Sequence, residues 1–201
     1  MSVTHTSSFR RTVLVVALLN FGYFFIEFGV ARAIGSVSLI ADSIDFLEDT
    51  AVNLLIFMAL GWTLYRRSMV GIALAAILLV PGIFTLWAAW GKYLVPAPPD
   101  PMILSITAAG ALTVNVLCAF LLARYRKHNN SLSRAAFLSA RNDAFANLAI
   151  IGAALVTMST LNAWPDLVVG LGIFIINLDA AREVYNTAGK EREEAIASIR
   201  A

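Results

Sequence analysis

Hydrophobic residues come in long blocks along this chain. Six of them, residues 12–31, 38–64, 70–90, 102–123, 135–161 and 167–184, approach or exceed the roughly 20 residues that cross a bilayer as a helix. None alternates strictly between apolar and polar positions as a strand does. In lipid the backbone must satisfy its own hydrogen bonds, which a helix does within one segment. The pattern therefore predicts an all-α integral membrane bundle of six transmembrane helices. The breaks agree: residues 91–101 carry four prolines, Pro96, Pro98, Pro99 and Pro101, and residues 162–166 place Pro165 near the start of the last helix.

Composition sharpens this reading. The chain is 59% hydrophobic and 14% charged, with a mean hydropathy of +0.77, whereas soluble domains average about 45–50% apolar and about 25% charged. No basic block is interleaved with aromatics, so nucleic acid is not an expected partner. The single cysteine, Cys118, excludes a disulfide within one chain and reads as a packing residue.

The position of the charges matters more than their sum. Arg10, Arg11, Arg66, Arg67, Arg124, Arg126, Lys127, Arg134, Arg182, Lys190, Arg192 and Arg200 gather at one set of helix ends, against Arg32 and Lys92 at the other. The positive-inside rule places both termini in the cytoplasm. The division is a six-helix transmembrane domain over residues 1–189 and a short charged cytoplasmic tail over 190–201. Short loops and the lack of a targeting segment lead to the expectation of a multi-pass protein of a prokaryotic plasma (inner) membrane.

The second block breaks its own pattern with four carboxylates, Asp42, Asp45, Glu48 and Asp49. Asp45 and Asp49 lie one turn apart on one helix face. An Asp at the centre of a membrane helix costs about 2.5–3.5 kcal/mol, so the pair needs compensation, for which a bound cation is the simplest candidate. Counted from the helix entries at 1.5 Å per residue, Asp49 and Asp143 each lie about 15 Å deep, near the middle of the lipid. Asn53 follows Asp49 by one turn. Ser139 and Asn147 bracket Asp143 in the same way, so two polar stripes, Asp45–Asp49–Asn53 and Ser139–Asp143–Asn147, run at matched depth. Each also fits a plain interhelical hydrogen bond. Glu48 points away from the Asp49 face, as an ion-pair or proton-relay candidate. Arg141 faces away from its stripe, as a partner for Glu48 or Glu27 or as a snorkelling cation. Asn20 and Glu27 fit either packing or a proton route, Asn115 and Asn177 fit interhelical hydrogen bonds, and Asp42 reads as a residue of the outer mouth. Asp179 and Arg182 fit a local pair.

The stretch Gly35-Ser36-Val37-Ser38-Leu39-Ile40-Ala41-Asp42-Ser43-Ile44-Asp45-Phe46-Leu47-Glu48-Asp49 resembles the second-helix signature of the cation diffusion facilitators, and Leu138-Ser139-Ala140-Arg141-Asn142-Asp143-Ala144-Phe145-Ala146-Asn147 resembles that family's His-x-x-x-Asp helix, with Asp143 at the Asp. The resemblance implies efflux of a divalent metal, zinc, cobalt, iron or manganese, through a site made by Asp45, Asp49, Ser139 and Asp143, with protons as counter-ion. It implies a homodimer in the lipid, no permanently bound cofactor and no enzymatic activity. Two departures stand out. Ser139 occupies the usual His position, and the sequence ends before the cytoplasmic domain that many members carry. An all-oxygen set is harder than one with imidazole and suits manganese, iron or cobalt better, without excluding zinc. Close carboxylates repel one another, so the empty site is expected to hold protons that a dication displaces. The competing reading is a non-transporting relative that serves as a membrane scaffold or regulatory subunit, with Arg141 neutralising Asp143 or Glu48. An enzyme using Asp45 and Asp49 as acid and base finds no nucleophile motif to support it.

Overall fold

In a computed structural model, the described residues are 3–59, 64–123 and 131–200. The structure describes their side chains except at residues 3–7 and 131–139, over most of 59–81 and at parts of the last helix beyond Asp179. Six helices occupy the described residues: α1 (Val3–Ile34), α2 (Val37–Ala59), α3 (Leu64–Leu94), α4 (Pro101–Ala123), α5 (Ser131–Thr160) and α6 (Trp164–Arg200). They match the six blocks, and each begins before its block. α1, α3 and α6 also end after theirs, because a helix continues into the polar flank until something stops it, whereas α2 ends at Ala59, short of residue 64. The stretch between α3 and α4 thereby shrinks to residues 95–100. α6 continues without a break through the charged tail.

The stops are local. Gly35 adopts a φ of +65°, a left-handed conformation open to glycine, and turns the chain between α1 and α2. Asp100 Oδ1 accepts the amides of Met102 and Ile103, both at 2.9 Å, and Pro101 sits at the first helical position of α4, where no amide is needed. Asn162 Oδ1 accepts the Trp164 amide at 3.1 Å at the start of α6.

Three helices, at 8–34, 101–123 and 140–160, are long and apolar enough to cross a membrane on length and composition alone, among the described residues. The strongest packing joins α1 to α2, α4 to α5 and α3 to α6, and α2 also meets α3, α5 and α6. The carboxylate-bearing helix is thus the central one. Outward faces carry Phe25, Phe120, Ile175 and Trp87, exposed as lipid-facing side chains are. Trp90, Tyr93 and Trp164 make a chain of ring contacts, with centroids 6.0 and 6.2 Å apart, beside the α5–α6 connection. Such a group suits the level of the headgroups.

Inside, the core is layered. One apolar cluster, including Leu39, Ile40, Ile44, Leu104 and Ile150, lies toward the end that holds the α1–α2 turn. A second, including Val13, Val16, Ile56, Cys118 and Leu122, lies toward the opposite end. The buried polar residues Asn20, Glu27, Asp49, Asn53, Asn115 and Asn147 belong to neither cluster. Asp45 and Asp49 follow Ile44 of the first cluster and precede Val52, which packs against the second.

Candidate cation site

The start of α2 sets the height of every acid that follows it. Ser36 caps the helix by accepting the Leu39 amide on its Oγ at 3.1 Å. Asp166, from the first turn of α6, accepts the next orphan amides, Val37 N at 2.9 Å and Ser38 N at 3.2 Å. The Ser36 and Ser38 hydroxyls donate to the same carboxylate at 2.6 Å each, and Lys92 Nζ from α3 donates at 2.9 Å. Asp166 is fully buried. Burial alone would push its carboxyl up, but the Lys92 ammonium and the Ser36 and Ser38 hydroxyls prevail and hold it below the ordinary aspartate range. One side chain therefore ties together α2, α3 and α6. The close approach needs Gly170, where a Cβ would meet Ser38 N and Val37 C at 2.7 Å each.

Below this clasp α2 turns its acids inward. Asp49 is buried, and Asn20 of α1 donates to its Oδ2 at 3.4 Å. Asp45 is partly buried and lies within electrostatic range of Asp143, Asp42, Glu48 and Asp49. Asp143, on α5, is likewise partly buried and senses Asp49, Asp42 and Glu48. Three of the sequence-predicted site residues, Asp45, Asp49 and Asp143, thus face one interior from two helices. The fourth, Ser139, has its side chain outside the described residues. Among the described residues, no three His, Cys, Asp or Glu side chains are drawn closely enough together to form a ready ligand cage. The carboxylates act on one another through their charge without converging on one point.

The asparagines of both stripes hold the backbone. Asn53 donates to the Asp49 carbonyl at 2.7 Å and Asn147 to the Asp143 carbonyl at 2.8 Å. Asn147 also donates to Asp42 Oδ1 at 3.4 Å, across from α5 to α2.

Several expectations change here. Asp42 is no mouth residue: it is fully buried, because Val37, Leu39 and Ile40 seal the turns before it. Lys92 is more than an orientation marker, since it neutralises Asp166. Arg141 is exposed and donates to Asn142 Oδ1 at 3.3 Å, so it does not neutralise the chamber. Glu48 lines a cavity of about 280 Å³ between α2, α3 and α6, together with Thr85 and Asn177. Asn177 makes the expected interhelical bond, a long one at 3.5 Å to the Ala41 carbonyl. Asp179 and Arg182 pair at 3.8 Å on an exposed face. Sequence reasoning missed the role of Asp166, whose only local signal was an acid in the first turn of a helix.

Six helices closed around an acidic layer define a polytopic integral membrane protein. Residues 13–190 match the model of the cation efflux transmembrane domain, and the chain belongs to that family. This places it in a family of metal cation efflux transporters. None of the curated proteins compared with the chain matches it.

Proposed function

We propose that the protein exchanges a divalent metal cation from the cytoplasm for protons from outside, with Asp45, Asp49, Ser139 and Asp143 as the midplane site. The observation that carries this reading is that Asp143 of α5 is among the charges acting on Asp45 of α2, while Asp49 of α2 is among those acting on Asp143. Buried like charges are costly and need a counter-charge. A dication supplies it in one state and protons in the other, so the two compete for the same oxygens.

The donor set contains only oxygen, which favours manganese, iron or cobalt over a site with nitrogen, while zinc remains a substrate of the same class. The apolar clusters at either end suit alternating access: one opens while the other stays closed, with α2 and α5 rocking around the site. Both termini lie in the cytoplasm in this reading. Two copies pair in the inner membrane through their helices and the α6 tail.

The coupling is tested in proteoliposomes. Metal uptake should accelerate when a proton gradient is imposed in the opposite direction, and it should slow when a protonophore collapses that gradient. Uptake indifferent to the gradient would contradict proton exchange while leaving metal transport intact.

A further inference from the structure

Glu27 of α1 is fully buried, and neither of its carboxylate oxygens has a hydrogen-bond partner. It faces Asp42 of α2, also fully buried and within hydrogen-bonding reach of it. As carboxylates, neither offers the other a donor. Asp42 Oδ1 takes one long bond from Asn147, and its Oδ2 has no partner. The Asn147 carboxamide is fully buried as well, and its Oδ1 has no partner. The neighbouring Tyr23 hydroxyl is committed elsewhere, to the Thr107 carbonyl at 2.7 Å. Among the described residues, no Lys or Arg pairs with Glu27 or Asp42.

Four acceptor oxygens, Glu27 Oε1, Glu27 Oε2, Asp42 Oδ2 and Asn147 Oδ1, are therefore buried at the meeting of α1, α2 and α5 without a donor. Each such atom is destabilising if left so. A single shared proton would join one pair of oxygens and leave the others bare. A hard cation engages several oxygens at once and supplies the charge that two carboxylates need.

We infer that Glu27, Asp42 and Asn147 form a second cation station that takes a hard divalent cation through oxygen atoms alone. It lies one helical turn from the Asp45–Asp143 group, on the side of the Asp166 clasp. Asp42 precedes Asp45 by three residues on α2, and Asn147 follows Asp143 by four on α5, which runs the opposite way. Both steps lead toward the same end of the bundle. The station rests on the transport reading for its purpose: it receives the ion that leaves the midplane group on its way out.

Equilibrium binding of Mn²⁺ to the full chain in detergent, followed by the loss of the free-ion electron paramagnetic resonance signal, tests it. The chain with Asp45→Asn and Asp49→Asn should still bind one Mn²⁺. Adding Glu27→Gln and Asp42→Asn should weaken that residual binding at least tenfold. Asn147→Asp, which supplies a further carboxylate, should tighten it at least tenfold, a gain that a misfolded chain cannot produce. Residual binding that is absent, or indifferent to both changes, would overturn the station. The midplane group is judged separately, because it fails if Asp45→Asn with Asp49→Asn leaves total binding at the wild-type level.

Discussion

Lys92 Nζ lies 2.9 Å from Asp166 Oδ2 with both side chains shut away from solvent, and the same carboxylate closes the first turn of the helix that bears Asp45 and Asp49. Breaking a buried ion pair on one side is costlier than replacing both partners, because the survivor is left uncompensated. Asp166→Ala should therefore lower stability by about 3–5 kcal/mol, read as a fall in the thermal midpoint in detergent. Asp166→Leu combined with Lys92→Met should recover part of the loss. A double variant worse than Asp166→Ala would contradict this account of the clasp.

The clasp also has a pH signature. Asp166 is held below the ordinary aspartate value of 3.8. A carboxyl depressed in the folded state contributes stability that is present above its unfolded value and lost as pH falls through the folded one. Its contribution should therefore fade below about pH 4. Asp166→Asn should be less stable than the wild type at neutral pH, and the gap should narrow in acid. A gap that stays constant down to about pH 2 would show that ionisation of Asp166 adds nothing.

Gly170 and Gly172 make a paired test on α6. A Cβ at Gly170 meets the backbone of α2, whereas nothing lies within 4 Å of a Cβ at Gly172. Gly170→Ala should destabilise by about 1–3 kcal/mol through overpacking. Gly172→Ala should be neutral or stabilising by up to about 1 kcal/mol, the helix-propensity gain. Thermal unfolding of the two single variants reads the difference. Equal midpoints would mean that α6 stands farther from the start of α2 than described.

Ser139→His should shift the order of metals carried toward zinc, since imidazole nitrogen softens an oxygen-only set. Competition among zinc, cobalt and manganese in uptake measures the order. An unchanged order would place residue 139 away from the ion.

Arg141→Gln should leave uptake within about twofold of the wild type, because the exposed guanidinium contributes little to the chamber. A large loss would revive the idea that Arg141 balances the site's charge.

What the sequence makes legible follows from distance along the chain. Helix faces are local, so the inward run of Asp45, Asp49 and Asn53 and the Asp143–Asn147 step can be counted from spacing alone. The six blocks are equally local. Contacts between distant segments are not. Asp166 reaches Ser38 across 128 positions and Lys92 across 74, so neither the cap of α2 nor the partner of Lys92 shows in any window. Asp42 misled for a related reason. Its height on α2 was readable, but its complete burial depends on an apolar cluster drawn from five helices. Glu27 stayed ambiguous because its neighbour, Asp42, belongs to another helix. The helix ends differ most at α1, α3 and α6, where the helix continues into polar flanks that hydrophobicity does not mark.

Metal uptake into proteoliposomes that are acidic inside, driven by protons leaving the vesicle in exchange for the dication, bears most directly on the carboxylate site. The wild type is compared with Asp49→Asn and Asp143→Asn, substitutions that keep shape and remove charge. Each should slow uptake at least about tenfold, equivalent to about 1.4 kcal/mol in the barrier. Equal uptake by all three proteins would contradict the assignment of transport to these acids.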